Sequence, residues 1–355
     1  MATSQRPAEI LSSGAGLGAA IALESGPELG EGGQVRARGY WEQVWRRFRR
    51  DKLAIAGGLF IVFLILVAFL GAPLAERLLG HGPEDQFAGG VDERVLPVGP
   101  LSWVDSAPYP GAVGDFKDQL LILGADGQLG RDEFLRLLYG AQVSLEVAIF
   151  STIGAMVIGV LMGGMAGYFG GWIDTLISRI TEVTMAFPLL LMTIALAATV
   201  GPRLNNITFG FLGEGVVTLV MIFTLFGWFY PARIIRAQVL SLREKEFIEA
   251  ARMVGASDMR IMRSHLLPHL IAPIIVYSTL IVAQFVLAEA GLSFFGLGIP
   301  LGTPSWGNLL STGPDYYLTQ PWLMVWPGLA VLLTTLAFNL LGDGLRDSFD
   351  PRGAR

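Results

Sequence analysis

Six runs of this sequence carry no Asp, Glu, Lys or Arg and are long enough to cross a bilayer as helices: Leu53–Ala75, Val147–Ile173, Val183–Pro202, Gly215–Ala232, Ser264–Ala288 and Tyr316–Gly342. A hydrocarbon core about 30 Å thick needs roughly 20 helical residues at about 1.5 Å rise each. A membrane strand needs only about 10 residues and alternates with period two, which these runs do not. The expected fold class is therefore all-α, a polytopic membrane protein with six transmembrane helices. A seventh uncharged run, Ala290–Pro314, is broken by glycines from Gly291 to Gly307 and by Pro300 and Pro304, so it reads as a loop. Composition agrees: only 15% of the residues are charged, against about 25% in soluble chains.

Basic residues in short flanks resist translocation. With the N-terminus inside, 19 of the 25 Lys and Arg residues fall on the cytoplasmic side, and the flipped arrangement reverses that ratio. Both termini are therefore expected in the cytoplasm. The expected organisation is a disordered cytoplasmic tail over 1–45, a first transmembrane helix with a basic flank over 46–75, an extracytoplasmic loop over 76–138, a core of five helices over 139–345, and a cytoplasmic tail over 346–355. The stretch Glu76–Arg136 carries eleven acidic and five basic residues, more than the whole chain's net charge of −5. A cleaved signal peptide over Ile10–Leu23 competes poorly, because its core is rich in Gly and Ser and its leading segment has one Arg.

Several chemical signals fail on inspection. Without cysteine there are no disulfides, thiol nucleophiles or thiolate metal sites, and three histidines make a histidine-rich metal centre unfavourable. No G-x-x-x-x-G-K-[ST] loop is present, so no nucleotide site of that type is expected. Gly124–Glu133 imitates the end of a calcium loop, but Ile122 and Gly124 stand where oxygen ligands belong. His265 and His269 have the spacing of a zinc-protease helix, yet Leu266 replaces the glutamate and Pro268 interrupts. Gly291-Leu292-Ser293 has no histidine base within a span. Ionisable groups near span ends are Glu146, Arg179, Glu182 and Glu289; Arg179 and Glu182 share a helix face and can neutralise each other.

The segment 241–266 lies between the fourth and fifth runs and is too polar to span. Phe247, Ile248, Ala251 and Val254 form an apolar stripe at helical spacing, and Gly255 sits where a helix would end left-handed. Ser257 can cap a second helix with Asp258 at its positive end. On pattern alone, this is either a knob for a partner's groove or an amphipathic helix on the inner leaflet.

Glu249-Ala250-Ala251, three residues, Gly255 and then Leu267-Pro268 resemble the EAA signature of ABC importer permeases. Tyr168-Phe169-Gly170-Gly171-Trp172-Ile173-Asp174, Ala186-Phe187-Pro188, Glu289-Ala290-Gly291-Leu292-Ser293-Phe294, Pro304-Ser305-Trp306-Gly307 and Asn339–Asp347 also resemble segments of the C-type permease subunit of dipeptide, oligopeptide and nickel importers, in that family's order. Departures are His265 for the usual isoleucine before the proline, and Ala125 with three intervening residues in the stretch before the second span. The resemblance implies a type I ABC importer permease of a prokaryotic plasma (inner) membrane, a non-catalytic half-pore for peptides or a related small solute. It implies a second homologous permease, two ATPase subunits that bind the ATP and Mg, an extracytoplasmic solute-binding protein, and no nucleic acid. It assigns ATPase coupling to Glu249, Ala250, Ala251, Gly255, Ala256 and Ser257. The alternatives are a stand-alone secondary transporter or channel using Glu146, Glu182 or Glu289, and a membrane scaffold subunit.

Overall fold

Polar groups of the backbone cannot be left unpaired in lipid, and the long apolar runs accordingly close their hydrogen bonds as helices. A computed structural model describes residues 40–112, 116–188, 191–199 and 215–350. The helices are α1 (Tyr40–Phe48), α2 (Lys52–Leu66), α3 (Ala72–Leu79), α4 (Glu133–Phe169), α5 (Gly171–Met185), α6 (Val216–Gly227), α7 (Phe229–Arg243), α8 (Glu246–Met253), α9 (Leu267–Phe294), α10 (Trp306–Thr312) and α11 (Trp322–Phe349). A π-helical turn, Val67–Gly71, joins α2 to α3. Residues 191–199 are also helical. Helix α1 begins inside the tail expected over 1–45; residues 1–39 of that tail lie outside the described residues, as do 351–355 at the other end.

Among the described residues, five helical stretches are long and apolar enough to cross a membrane: Lys52–Leu79, Glu133–Phe169, Val216–Arg243, Asp258–Phe294 and Trp322–Phe349. The remaining expected run, Val183–Pro202, is not one continuous helix. Helix α5 stops at Met185, just before Pro188, and part of the run falls outside the described residues. Proline lacks the N–H that would continue the ladder.

Helix α4 is the central element, lying against α6, α7 and α9, while α11 lies between α9 and α2. Its contact with α7 depends on Gly159, Gly163 and Gly167, one residue per turn on one face. An added Cβ would meet Pro231 at Gly159, the Ala232 carbonyl at Gly163, and the Arg236 carbonyl and Val239 at Gly167. Small residues at four-residue spacing let two backbones approach where lipid supplies no hydrophobic drive.

The expected loop over 76–138 is instead a folded lobe. Two antiparallel pairs form in it: β1 (Ser102–Asp105) with β2 (Asp118–Leu121), and β3 (Ala125–Asp126) with β4 (Arg131–Asp132). Helix α4 starts at Glu133 rather than Val147, and Arg136, one of the charges that excluded this stretch from the apolar run, is paired locally. Asp126 pairs with Arg131 at 3.1 Å and with Arg136 at 2.8 Å, and Glu84 bridges both arginines. Asp132 caps α4, accepting from the Phe134 N–H at 2.7 Å and the Leu135 N–H at 3.3 Å, and also meets His81 Nε2 at 2.8 Å. Burial alone would lower the His81 pKa, but Asp132 and Gln119 outweigh it and hold the imidazole above its ordinary value. The run Ala290–Pro314 also differs from the expected loop: it contains the end of α9 and all of α10, whose N-cap Ser305 accepts from the Asn308 N–H at 3.2 Å.

Candidate functional site

Helix α8 carries Glu246 and Glu249 in its first turn and Arg252 in its last, charges that complement the helix dipole. Ile248 is fully buried among Ile235 and Val239 of α7 and Ile261, Leu266 and Leu270, and the half-buried Ala251 and Ala256 pack on the same cluster. The apolar stripe read from the sequence is therefore only half right. Helix α8 ends at Met253; Val254, at its C-cap, is 89% exposed, and Phe247 is 38% exposed. Ala256 takes the buried place instead.

Gly255 has φ +83°. Its N–H donates to the Arg252 carbonyl at 2.9 Å, and the Ala256 N–H reaches back to the Ala251 carbonyl at 3.0 Å. The second bond is the six-to-one closure of a Schellman turn. Ser257 stands at the next N-cap in an extended conformation, but its hydroxyl makes no capping bond. Nor is the following helix a separate one: a single turn, Asp258–Arg260, passes through a π-helical turn, Ile261–Leu266, directly into α9. The second half of the segment thus runs directly into a span.

Asp258 is gripped rather than free. The Tyr168 hydroxyl, at the end of α4, donates to its Oδ1 at 2.6 Å, and the Arg252 guanidinium lies 5.5 Å above the Tyr168 ring. Arg243 donates to the Gly167 carbonyl at 3.2 Å, occupying an acceptor that the helix end leaves open. Beyond Gly170, Asp174 makes a two-point pair with Arg236, Nη2 lying 2.7 Å from Oδ2. Those hydrogen bonds hold the Asp174 carboxyl below its ordinary pKa against the opposing effect of burial. The ends of α4, α7 and α9 therefore meet α8 in one apolar cluster, and three polar links join α4 to Asp258, α7 to α4 and α7 to α5. Sequence reasoning quoted Tyr168 and Asp174 only as part of a motif and missed both roles; the single sequence offers no pointer to a phenol's partner 90 residues away.

The opposite side of the segment is open. Glu249 and Ala250 are exposed, Met253 is 84% exposed, and Met259 is exposed as well. Glu249 has no bonded partner among the described residues. An added Cβ at Gly255 would meet nothing within 4 Å. An apolar, unpaired face on a segment outside the span is the character of a protein contact.

The other chemical candidates resolve differently. Arg179 and Glu182 pair at 2.7 Å on an exposed face. Glu289 is fully buried and accepts from the hydroxyls of Ser144 and Ser293, both at 2.7 Å, which ties α9 to α4. Ser293 is thereby a structural donor. Glu146 meets Gln142 at 3.4 Å. In the calcium-like stretch the carboxylate of Asp126 faces guanidinium groups. The His269 ring lies 5.1 Å from that of Phe247. Among the described residues no cluster of three His, Asp or Glu side chains is arranged to hold a metal.

Residues 155–355 match the family described as binding-protein-dependent transport system inner membrane component, and residues 39–91 match the N-terminal TM domain of oligopeptide transport permease C. The chain belongs to this permease family. The dipeptide transport system permease protein DppC of Alkalihalophilus pseudofirmus is 36% identical over 320 residues, covering 90% of this chain and 92% of that protein. The glutathione transport system permease protein GsiD of Pectobacterium atrosepticum is 38% identical over 314 residues, covering 88% and 91%. A solved inward-facing structure of the MetNI methionine ABC transporter aligns with TM-score 0.47 and 18% identity over 61% of this chain and 96% of its own. The permease is a multi-pass transport subunit of an ABC importer with the all-α fold of that class.

Proposed function

We propose that this permease supplies half of a translocation pore for peptides and is driven through the segment Glu249–Ser257 by an ATPase subunit docked on it. The carrying observation is the two-sided character of that segment and its flanks: Ile248 is buried against α7 and the start of α9 and the Tyr168 hydroxyl of α4 holds Asp258, while Met253, Val254 and Met259 are exposed. A short helix so fixed transmits a push from a partner to the spans as a rigid body.

The rest of the assembly follows from that reading. A second homologous permease completes the pore. Two ATPase subunits hold ATP and Mg and perform the hydrolysis, with no catalytic group from this chain. A solute-binding protein presents cargo to the lobe within 76–138. Both termini lie in the cytoplasm, as the basic residues favour, and the organisation is tail 1–45, first helix 46–75, lobe 76–138, core 139–345 and tail 346–355. The relatives' names, dipeptide and glutathione permeases, support a short peptide as cargo.

Reconstitution tests this. Proteoliposomes holding both permeases and both ATPases are expected to accumulate a labelled dipeptide only with internal ATP and external binding protein. Accumulation by this chain alone down an ion gradient would contradict the reading and favour a secondary transporter.

A further inference from the structure

We infer that the cavity between α5, α7 and α9 is this subunit's share of the cargo path, and that the Gln284 amide holds a peptide there through the peptide's own backbone groups. The inference rests on the peptide-importer reading. The cavity is about 220 Å³ and is lined by Thr184, Phe187, Met192, Tyr230, Gln284 and Phe285, with other apolar side chains. Two interruptions of the helical ladder border it: the end of α5 before Pro188, and the junction of α6 with α7 at Trp228. Irregular backbone at membrane depth is tolerated where it lines a cavity, and broken spans mark the binding regions of transporters.

Gln284 is the polar group that needs an explanation. It lies within the membrane-crossing stretch Asp258–Phe294, four residues before the end of the uncharged run Ser264–Ala288. It is exposed, and its amide makes no hydrogen bond among the described residues. An amide facing lipid there is costly, so the side chain must meet water or a polar ligand. The wall beside it is firm. Phe285 stacks on Phe223 with centroids 5.1 Å apart and planes 4° from parallel, and Gly227 leaves the room, since an added Cβ would lie 2.5 Å from the Phe285 ring.

Among the described residues the lining contains no Asp, Glu, Lys, Arg or His, so a peptide's charged termini meet no opposite charge from that lining. An amide, by contrast, donates and accepts at once, which matches the N–H and C=O of any peptide whatever its side chains. Apolar and aromatic walls take those side chains without selecting among them.

The chain has no cysteine, so Gln284→Cys places a single thiol in this subunit of the complete transporter. A small, charged methanethiosulfonate reagent is expected to modify it during ATP-driven turnover and to lower dipeptide uptake at least about tenfold, the equivalent of losing one good hydrogen bond. Gln284→Leu, which suits the apolar wall and leaves no unpaired dipole, is expected to lower uptake by a similar factor, with Gln284→Asn falling between it and the wild type. A thiol that stays unmodified in every nucleotide state, as when sealed in the contact with the second permease, would overturn the inference, as would modification without loss or wild-type uptake by Gln284→Leu. These outcomes are read in a transporter whose unsubstituted form takes up dipeptide; failure of that control would instead remove the peptide-importer reading.

Discussion

Gly255→Pro is expected to enter the membrane and assemble with its partners, yet to lose nearly all peptide uptake, with ATP hydrolysis no longer responding to loaded binding protein. Proline cannot adopt the φ of +83° found there. It also removes the N–H that closes the turn on Arg252. The cost is about 3 kcal/mol or more, roughly a hundredfold shift away from the conformation that presents the docking face. Gly255→Ala separates backbone from contact. Its Cβ meets nothing within 4 Å among the described residues, so its folding cost is only the left-handed penalty of about 1–2 kcal/mol and uptake should fall between the two. Glu249→Lys probes the partner alone, because Glu249 is exposed. It should leave the subunit's thermal unfolding unchanged while weakening its hold on the ATPase. Paired assays of uptake and hydrolysis in proteoliposomes check all three; coupled transport by Gly255→Pro would show that the turn does not transmit anything.

The second large effect concerns the span contact that receives the push. Gly163→Ala is expected to destabilise the permease by about 1–3 kcal/mol, the range for overpacking, and to lower its melting temperature in detergent. One added methyl there runs into the Ala232 carbonyl, a backbone atom that cannot rotate aside. Gly164→Ala, on the next residue of the same helix, meets nothing within 4 Å and should be neutral or slightly stabilising through helix propensity. Equal melting temperatures for the two variants would mean that α4 and α7 are not held by this close approach.

The spans were legible because their apolar runs are long and their charges sit outside, and the Gly255 turn because glycine after an apolar helical stripe has few other uses. The start of α4 was not, since Arg136 looks like a loop charge until Asp126 and Glu84 are brought beside it from elsewhere in the chain. Val254 was misplaced because a helical stripe shows which residues share a face but not how far the packing beneath it extends, and the buried cluster takes Ala256 instead. The glycines at 159, 163 and 167 had a readable spacing whose meaning depended on which helix lay opposite. Tyr168 and Gln284 acquire their roles only from three-dimensional neighbours, or, for Gln284, from the lack of them among the described residues.

The docking face can be tested by geometry alone. The natural absence of cysteine lets Val254→Cys act as a single reporter, paired with an ATPase subunit bearing one cysteine in its surface groove and oxidised in native membranes. A disulfide-linked permease–ATPase product whose yield changes with nucleotide is the predicted result. No product with any groove position in any nucleotide state, or labelling of that thiol by an impermeant reagent from outside the cell, would contradict the account.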